Sequence, residues 1–352
     1  MHARVKSFLK YSFSILLTFL FLYLAFRGTD FEKLWETLRQ ANYWWALSAL
    51  PIVMLSHALR AWRWKYFLRP LKPNLRYRNL FSSLVIGYMM NNILPRAGEL
   101  VRPYALGKLE GVSRSASFGT VLVERIFDVF SFMVVIALIP VLYSGPLTQT
   151  FPWLEETGIW ITVVTFAFLA LFVFLMLRRD VVERILNFFT RHLSQQKARF
   201  VERIVHSFLD GFVFLKETKH YFMIGLLSVL VWGLYFFMMY LPFYAFGMTE
   251  KYSLDFASAI VVQGISSIGT MIPTPGATGP YHYFTIEPLT KLYHVDEEVA
   301  RSYAAVTHAV GFIGVTLIGL VYFLKDNLRM SDVMKQNLVP DVEKASTDGQ
   351  KD

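Results

Sequence analysis

The chain has 352 residues, 55% of them hydrophobic, 16% aromatic and only 17% charged, with a formal net charge of +9. A mean hydropathy of +0.41 is too apolar for a soluble domain of this length, and the uninterrupted apolar runs define an all-α polytopic membrane protein. The excess base lies between those runs, which argues against a nucleic-acid partner and fits cytoplasmic loops beside anionic headgroups; the absence of Cys excludes disulfides, thiolate metal sites and Cys nucleophiles.

The first apolar run, Phe8 to Phe26, follows Arg4, Lys6 and Lys10. Its core is longer than that of a cleavable signal peptide and ends in Phe26-Arg27 without a small-residue site, so it reads as an uncleaved span with the N-terminus inside. Asp30, Glu32, Lys33, Glu36 and Arg39 make a net-acidic outer loop, and Trp44-Trp45 reads as an interfacial anchor. The second span runs from about Ala46 to Phe67. Arg60, Arg63, Lys65, Arg69, Lys72, Arg76 and Arg78 mark its end, with no acid among them, which places that end in the cytoplasm.

The run from Leu80 to Met90 is too short to cross a bilayer, for which about 20 residues are needed. It stops at Asn91-Asn92-Ile93-Leu94-Pro95-Arg96-Ala97-Gly98-Glu99, and Leu100-Val101-Arg102-Pro103-Tyr104 continues it. A backbone broken at membrane depth is tolerated where protein or a watery cavity covers it, so this segment is predicted to enter and leave from the cytoplasmic side. The third span, Ser115 to Tyr143, carries Glu124, Arg125 and Asp128 about a third of the way in. An acidic outer loop with Glu155 and Glu156 and a fourth span, Ile159 to Leu177, follow.

Residues 178–220 form a cytoplasmic insert with nine Lys/Arg against five Asp/Glu. Val201, Ile204, Val205, Phe208, Phe212 and Leu215 recur there at helical spacing, which predicts amphipathic helices lying on the membrane. The fifth span is Tyr221 to Phe246. A second broken segment, Phe256 to Met271, then enters from outside and breaks at Ile272-Pro273-Thr274-Pro275-Gly276-Ala277-Thr278-Gly279-Pro280. Val299 to Leu324 is the last span, and 326–352 reads as a disordered cytoplasmic tail.

The expected architecture is thus one membrane domain over 1–325, with about six transmembrane helices and two oppositely oriented re-entrant broken helices. Two short Gly/Pro-interrupted segments in matching halves point to an inverted-topology repeat around a midplane site. Pro95, Gly98, Pro273, Pro275, Gly276 and Gly279 are the expected hinge or gate positions. Arg96 and Arg102 flank a helix restart whose N–H groups would suit a phosphate, and Glu99 would balance them. Glu124 and Asp128 share one helix face, with Arg125 adjacent. Charges inside a span are costly and face a cavity or a partner, so they read either as a substrate or proton relay or as an ion pair to Arg96 or Arg102. Asn92 and His282 complete the expected substrate-binding set; His282 could carry a coupling proton or be a hydrogen-bonded interface residue, and His308 could line the cavity.

No phosphate-binding Gly-x-x-x-x-Gly-Lys-Ser/Thr loop, Gly-x-Ser-x-Gly or His-Glu-x-x-His occurs, so no enzyme activity, cofactor or metal is expected. The motifs Asn92-x-x-Pro95-Arg96-Ala97-Gly98-Glu99-x-x-Arg102-Pro103, Glu124-Arg125-x-x-Asp128 and Pro273-Thr274-Pro275-Gly276-x-x-Gly279 resemble the flippase-like integral membrane domain family. That family includes the transmembrane flippase part of lysylphosphatidylglycerol synthases. The resemblance covers roughly residues 8–325 and implies two re-entrant helices, a central cavity and movement of a lipid headgroup between leaflets. Only a short tail follows the last span, so the expectation is a stand-alone member without the aminoacyl-transfer domain. The expected function is a flippase or scramblase for an anionic or phosphate-containing lipid in the cell inner membrane, with both termini cytoplasmic, membrane lipids as partners and a homodimer left open. The alternatives are a membrane-embedded enzyme or accessory protein of polyprenyl-phosphate or glycolipid assembly, and a scaffold docked through the basic insert.

Overall fold

The computed structural model describes residues 2–143, 178–191 and 220–328, with a few isolated positions between them. All secondary structure among the described residues is helical. Helix α1 (His2–Phe26) ends at Arg27-Gly28, where Gly28 takes a φ of +74°. Asp30 then accepts from the Glu32 and Lys33 N–H groups and starts α2 (Phe31–Gln40), which turns 85° away from α1. The stretch expected as an outer loop therefore holds a capped amphipathic helix, whose Leu34 and Leu38 are half-buried while Phe31 and Trp35 stay exposed. A short α3 (Tyr43–Leu47), capped by Asn42, leads into α4 (Ala49–Leu68).

Helix α5 (Tyr77–Ile93) and α6 (Gly98–Glu110) are the two arms of the first broken segment, close to the expected boundaries. Leu94-Pro95-Arg96-Ala97 makes the turn. The left-handed residue in it is Arg96, φ +60°, not Gly98. Gly98 is required for packing: a Cβ there would lie 2.0 Å from the Gly87 carbonyl oxygen. Helix α7 (Arg114–Leu142) is capped by Ser113. In the insert, α8 (Arg179–Thr190) is the described helix, with Leu186 buried and Phe188 exposed. Helix α9 (Tyr221–Ala245) is followed by α10 (Met248–Lys251).

The second broken segment comprises α11 (Phe256–Met271), a 3-10 turn at Pro275–Ala277 and α12 (Pro280–Lys291). Asp255 and Ser258 form a reciprocal capping box at the start of α11, which satisfies two otherwise orphaned N–H groups. The second hairpin repeats the packing device of the first. A Cβ on Gly269 would meet the Pro280 carbonyl oxygen at 2.6 Å, so in each hairpin a glycine of the first arm touches the first residue of the second. Helix α13 (Glu297–Lys325) closes the bundle.

Helices α7, α9 and α13 are long and apolar enough to cross a membrane, and α1 with α2 passes as a bent pair. Helix α4 has 20 residues, about the required length, but carries Arg60, Arg63 and Lys65. The fourth span (159–177), the helical spacing over 201–215 and nearly all of the tail lie outside the described residues.

Each hairpin has its own packed core. One joins α4, α5, α6, α7 and α9 through Trp64, Phe67, Leu80, Leu84, Leu106, Val121 and Ile224. The other joins α9, α11, α12 and α13 through Phe243, Ala259, Leu289 and Tyr303. In lipid such cores gain van der Waals packing rather than escape from water, so close approach at glycine matters more than apolar area. Arg301 of α13 locks the second half to α1. It is buried and donates to the carbonyls of Ala25 (3.3 Å) and Arg27 (3.1 Å), which end α1 without intrahelical partners.

Candidate functional site: a buried arginine–carboxylate cluster

Lys72 reaches the Glu110 carboxylate at 3.1 Å, so the end of α4 and the end of α6 lie at one face of the bundle, and α7 starts four residues after Glu110. Counting inward from that face at about 1.5 Å per residue puts Arg60, Arg102 and Glu124 at depths of about 12–15 Å. Three chain segments thus deliver charge to one level, and they meet there.

Glu124 is the centre. Its side chain is 1% exposed, and guanidinium nitrogens of Arg60, Arg63 and Arg102 stand 2.8, 3.3 and 2.7 Å from its oxygens. The Arg102 contact, to Oε2, is an ion pair rather than an aligned hydrogen bond. Asp128, one turn further along α7, accepts from Arg60 at 2.6 Å and Arg63 at 2.5 Å. Arg63 also donates to Ser228 at 2.8 Å and Arg60 to Tyr235 at 2.9 Å, both on α9. Arg102 stacks 3.7 Å over the Trp64 ring, and Trp64 is oriented by its bond to Thr120 (2.9 Å). Such pairing and stacking is what lets charge persist away from water.

At the edge of the cluster, Arg125 lies 3.5 Å from Glu99 and 3.4 Å from Asp128. Both Arg125 and Glu99 are about one-third exposed. They stand at the mouth of a cleft between α5, α6 and α7, whose lining includes Gly87, Tyr88, Asn91, Glu99, Arg102 and Arg125. It has room for about 10 Å³, on the order of one water molecule, so a phosphate enters only if the cleft widens. Inside, the Nε and Nη2 of Arg102 and the Tyr88 hydroxyl are buried without a hydrogen-bond partner. Buried polar groups are normally satisfied, so these donors are open to a hydrogen-bond acceptor, as are the Nε atoms of Arg60 and Arg63.

Of the expected site residues, the structure brings Glu99, Arg102, Glu124, Arg125 and Asp128 together. Arg102 is the partner that makes the Glu124 ion pair. Arg96 stands apart: it is exposed and donates to the Met271 carbonyl at 2.9 Å, which ties the turn of the first hairpin to the end of α11. Asn92 donates to Thr316 (2.8 Å) and the Phe312 carbonyl (3.2 Å) of α13. The helix restart does not present free N–H groups to a ligand, because the Gly98 N–H is taken by the Asn91 side chain (2.7 Å) and those of Glu99 and Leu100 by the carbonyls of Arg96 and Ala97.

In the second break Gly276 (φ +55°) and Gly279 (φ +93°) supply the left-handed turns, and Pro275 opens the 3-10 turn. The Pro273 carbonyl accepts from Ser14 of α1 (2.6 Å). His282 is buried, with its Nδ1 accepting from the Gly279 N–H, and its ring lies 4.6 Å from that of His308, which bonds the Gly276 carbonyl. The turn of the second hairpin touches the end of α5, since a Cβ on Gly276 would sit 3.1 Å from the Asn92 side chain.

Sequence reasoning missed Arg60 and Arg63. Both were read with the basic end of the second span. The available signal was their position, with Arg60 eight residues and Arg63 five before Leu68 and three apart, which places them on one helix face.

These features define a class: a multi-pass, all-helical integral membrane protein with two hairpins of broken helix and a charged centre enclosed by protein. The chain belongs to the family described as the lysylphosphatidylglycerol synthase TM region, which matches residues 11–319. It is 30% identical over 257 residues to a UPF0104 membrane protein of Methanothermobacter thermautotrophicus, covering 69% of this chain and 74% of the relative. A UPF0104 membrane protein of Methanocaldococcus jannaschii is 22% identical over 322 residues, covering 88% of this chain and 93% of the relative. No solved structure matches the chain.

Proposed function

We propose that this protein is a flippase or scramblase that moves a phosphate-bearing lipid headgroup between membrane leaflets while the acyl chains stay in lipid. The observation that carries the reading is the pair of unpaired, buried Arg102 donors beside a cleft edged by the Glu99–Arg125 pair. Guanidinium groups suit phosphate oxygens because their fork of donors matches them. The family's name supports a lipid cargo, since lysylphosphatidylglycerol carries a phosphodiester. On this reading the hairpins α5–α6 and α11–α12 enter from opposite faces of a six-span inverted repeat. The contacts between the hairpins, Arg96 to Met271 and Gly276 beside Asn92, separate the two sides, and the basic segments lie in the cytoplasm of a cell whose inner membrane holds the protein. No enzymatic step is needed.

The test is translocation of labelled phospholipids in proteoliposomes. Arg125→Gln and Arg102→Gln should each lose protein-dependent transfer. Arg125 is the cleaner case, because its partial exposure limits the folding cost. Wild-type transfer rates in both folded variants would sink the assignment.

A further inference from the structure

We propose that Glu99 is a built-in stand-in for the cargo's charge, and that it restricts the cleft to oxyanions carrying a single negative charge, phosphodiesters rather than phosphomonoesters. The inference rests on the flippase reading for its location and on the charge inventory for its content. Four guanidinium groups, of Arg60, Arg63, Arg102 and Arg125, face three carboxylates, of Glu99, Glu124 and Asp128. One positive charge is left over. Glu124 is enclosed on all sides by its Arg partners and Asp128 is held by two short bonds. Glu99 is different. It holds Arg125 by a single 3.5 Å contact, is about one-third exposed, and lines the cleft from α6.

A ligand entering the cleft therefore meets the unpaired Arg102 donors, the Tyr88 hydroxyl and, once Glu99 yields it, Arg125. Glu99 remains at the mouth as a negative charge. A monoanion brings the cluster to neutrality. A dianion overshoots it and is repelled by Glu99 in a partly desolvated place, where charge interactions are strong. Discrimination of this kind works by a repulsive element aimed at the wrong ligand. A positioning role alone would not couple this one side chain to cargo charge.

The experiment measures thermal unfolding of the purified full chain in detergent at pH 8. Soluble headgroup probes are glycerophosphoglycerol (a diester monoanion), glycerol 3-phosphate (a monoester) and inorganic phosphate. Wild type should be stabilised by the diester at concentrations at least about tenfold lower than by either monoester or phosphate. Glu99→Gln raises the surplus to two charges and should erase or reverse that preference, whereas Glu99→Asp should keep it. Transport of labelled phosphatidylglycerol against phosphatidic acid is run in parallel in proteoliposomes and should show the same inversion.

Equal stabilisation of wild type by diester and by phosphate, or a preference untouched in folded Glu99→Gln, overturns the proposal. If lipids move but their ranking ignores Glu99, the flippase reading survives and this inference fails. If the soluble probes show the preference and no lipid moves, the site stands and the flippase reading fails. If folded wild type neither binds nor transports, both are refuted.

Discussion

Glu124→Gln isolates the electrostatics of the cluster, because the amide keeps the shape and removes the charge. Glu124 is 1% exposed, with Arg60, Arg63 and Arg102 nitrogens at 2.8, 3.3 and 2.7 Å. At an effective dielectric of about 20, opposite charges about 3 Å apart attract by about 5–6 kcal/mol. Desolvation offsets several kcal/mol for each ion, so the intact cluster contributes little net stability. The variant is a different matter. The desolvated guanidinium groups of Arg60 and Arg63 would then keep Asp128 alone and Arg102 would lose its carboxylate partner, and removing one partner from a buried ionic set costs about 3–5 kcal/mol. At about 2–4 °C per kcal/mol, the melting temperature should fall by on the order of 10 °C. The assay is thermal unfolding in detergent followed by circular dichroism. Glu99→Gln is the internal control, since its one 3.5 Å contact is partly exposed and worth no more than about 1 kcal/mol. A Glu124→Gln melting temperature within about 2 °C of wild type, or an equal fall in Glu99→Gln, would refute the account.

Two further outcomes follow from local geometry. Gly98→Ala forces a Cβ to 2.0 Å from the Gly87 carbonyl oxygen, so the arms of the first hairpin must part; the expected cost is at least about 1–3 kcal/mol, while Gly225→Ala, with nothing within 4 Å of its Cβ, should be neutral or stabilising in the same melting assay. Asp255→Ala should cost about 1 kcal/mol as a lost helix cap. The Ser258 backbone N–H holds the Asp255 carboxyl below its ordinary value of 3.8, so the cap contributes fully above that value and is lost as pH falls through the lowered one. The gap between wild type and Asp255→Ala should therefore be constant near neutrality and close below about pH 4; a gap that widens in acid would refute the sign.

Much of the helix layout was legible because membrane helices are set by local composition. The spans beginning near Ser115, Tyr221 and Val299 and the breaks at Leu94–Ala97 and Ile272–Gly279 fall within a few residues of the observed boundaries. The helix at Phe31–Gln40 was hidden by its charge, although Asp30 followed by Glu32 and Lys33 is an N-terminal signal. Half of the site was legible as well. Glu124, Arg125 and Asp128 announce themselves as charges inside an apolar run. Arg60 and Arg63 did not, because they merge with the basic residues that follow and read as topology signals.

Sequence by itself determined that the chain is membrane-embedded, that two of its helices break, and that charge must be buried beside the first break. Only the tertiary structure decided which charges meet. Glu124 draws partners from 64, 61 and 22 residues away, while Arg96, six residues from Arg102, turns instead to the carbonyl of Met271. The physical reason is that a buried charge is stabilised by whatever opposite charge the packing brings within about 3–4 Å, and side-chain reach across packed helices is set by their crossing and close approach at Gly87 and Gly98, which no local pattern encodes.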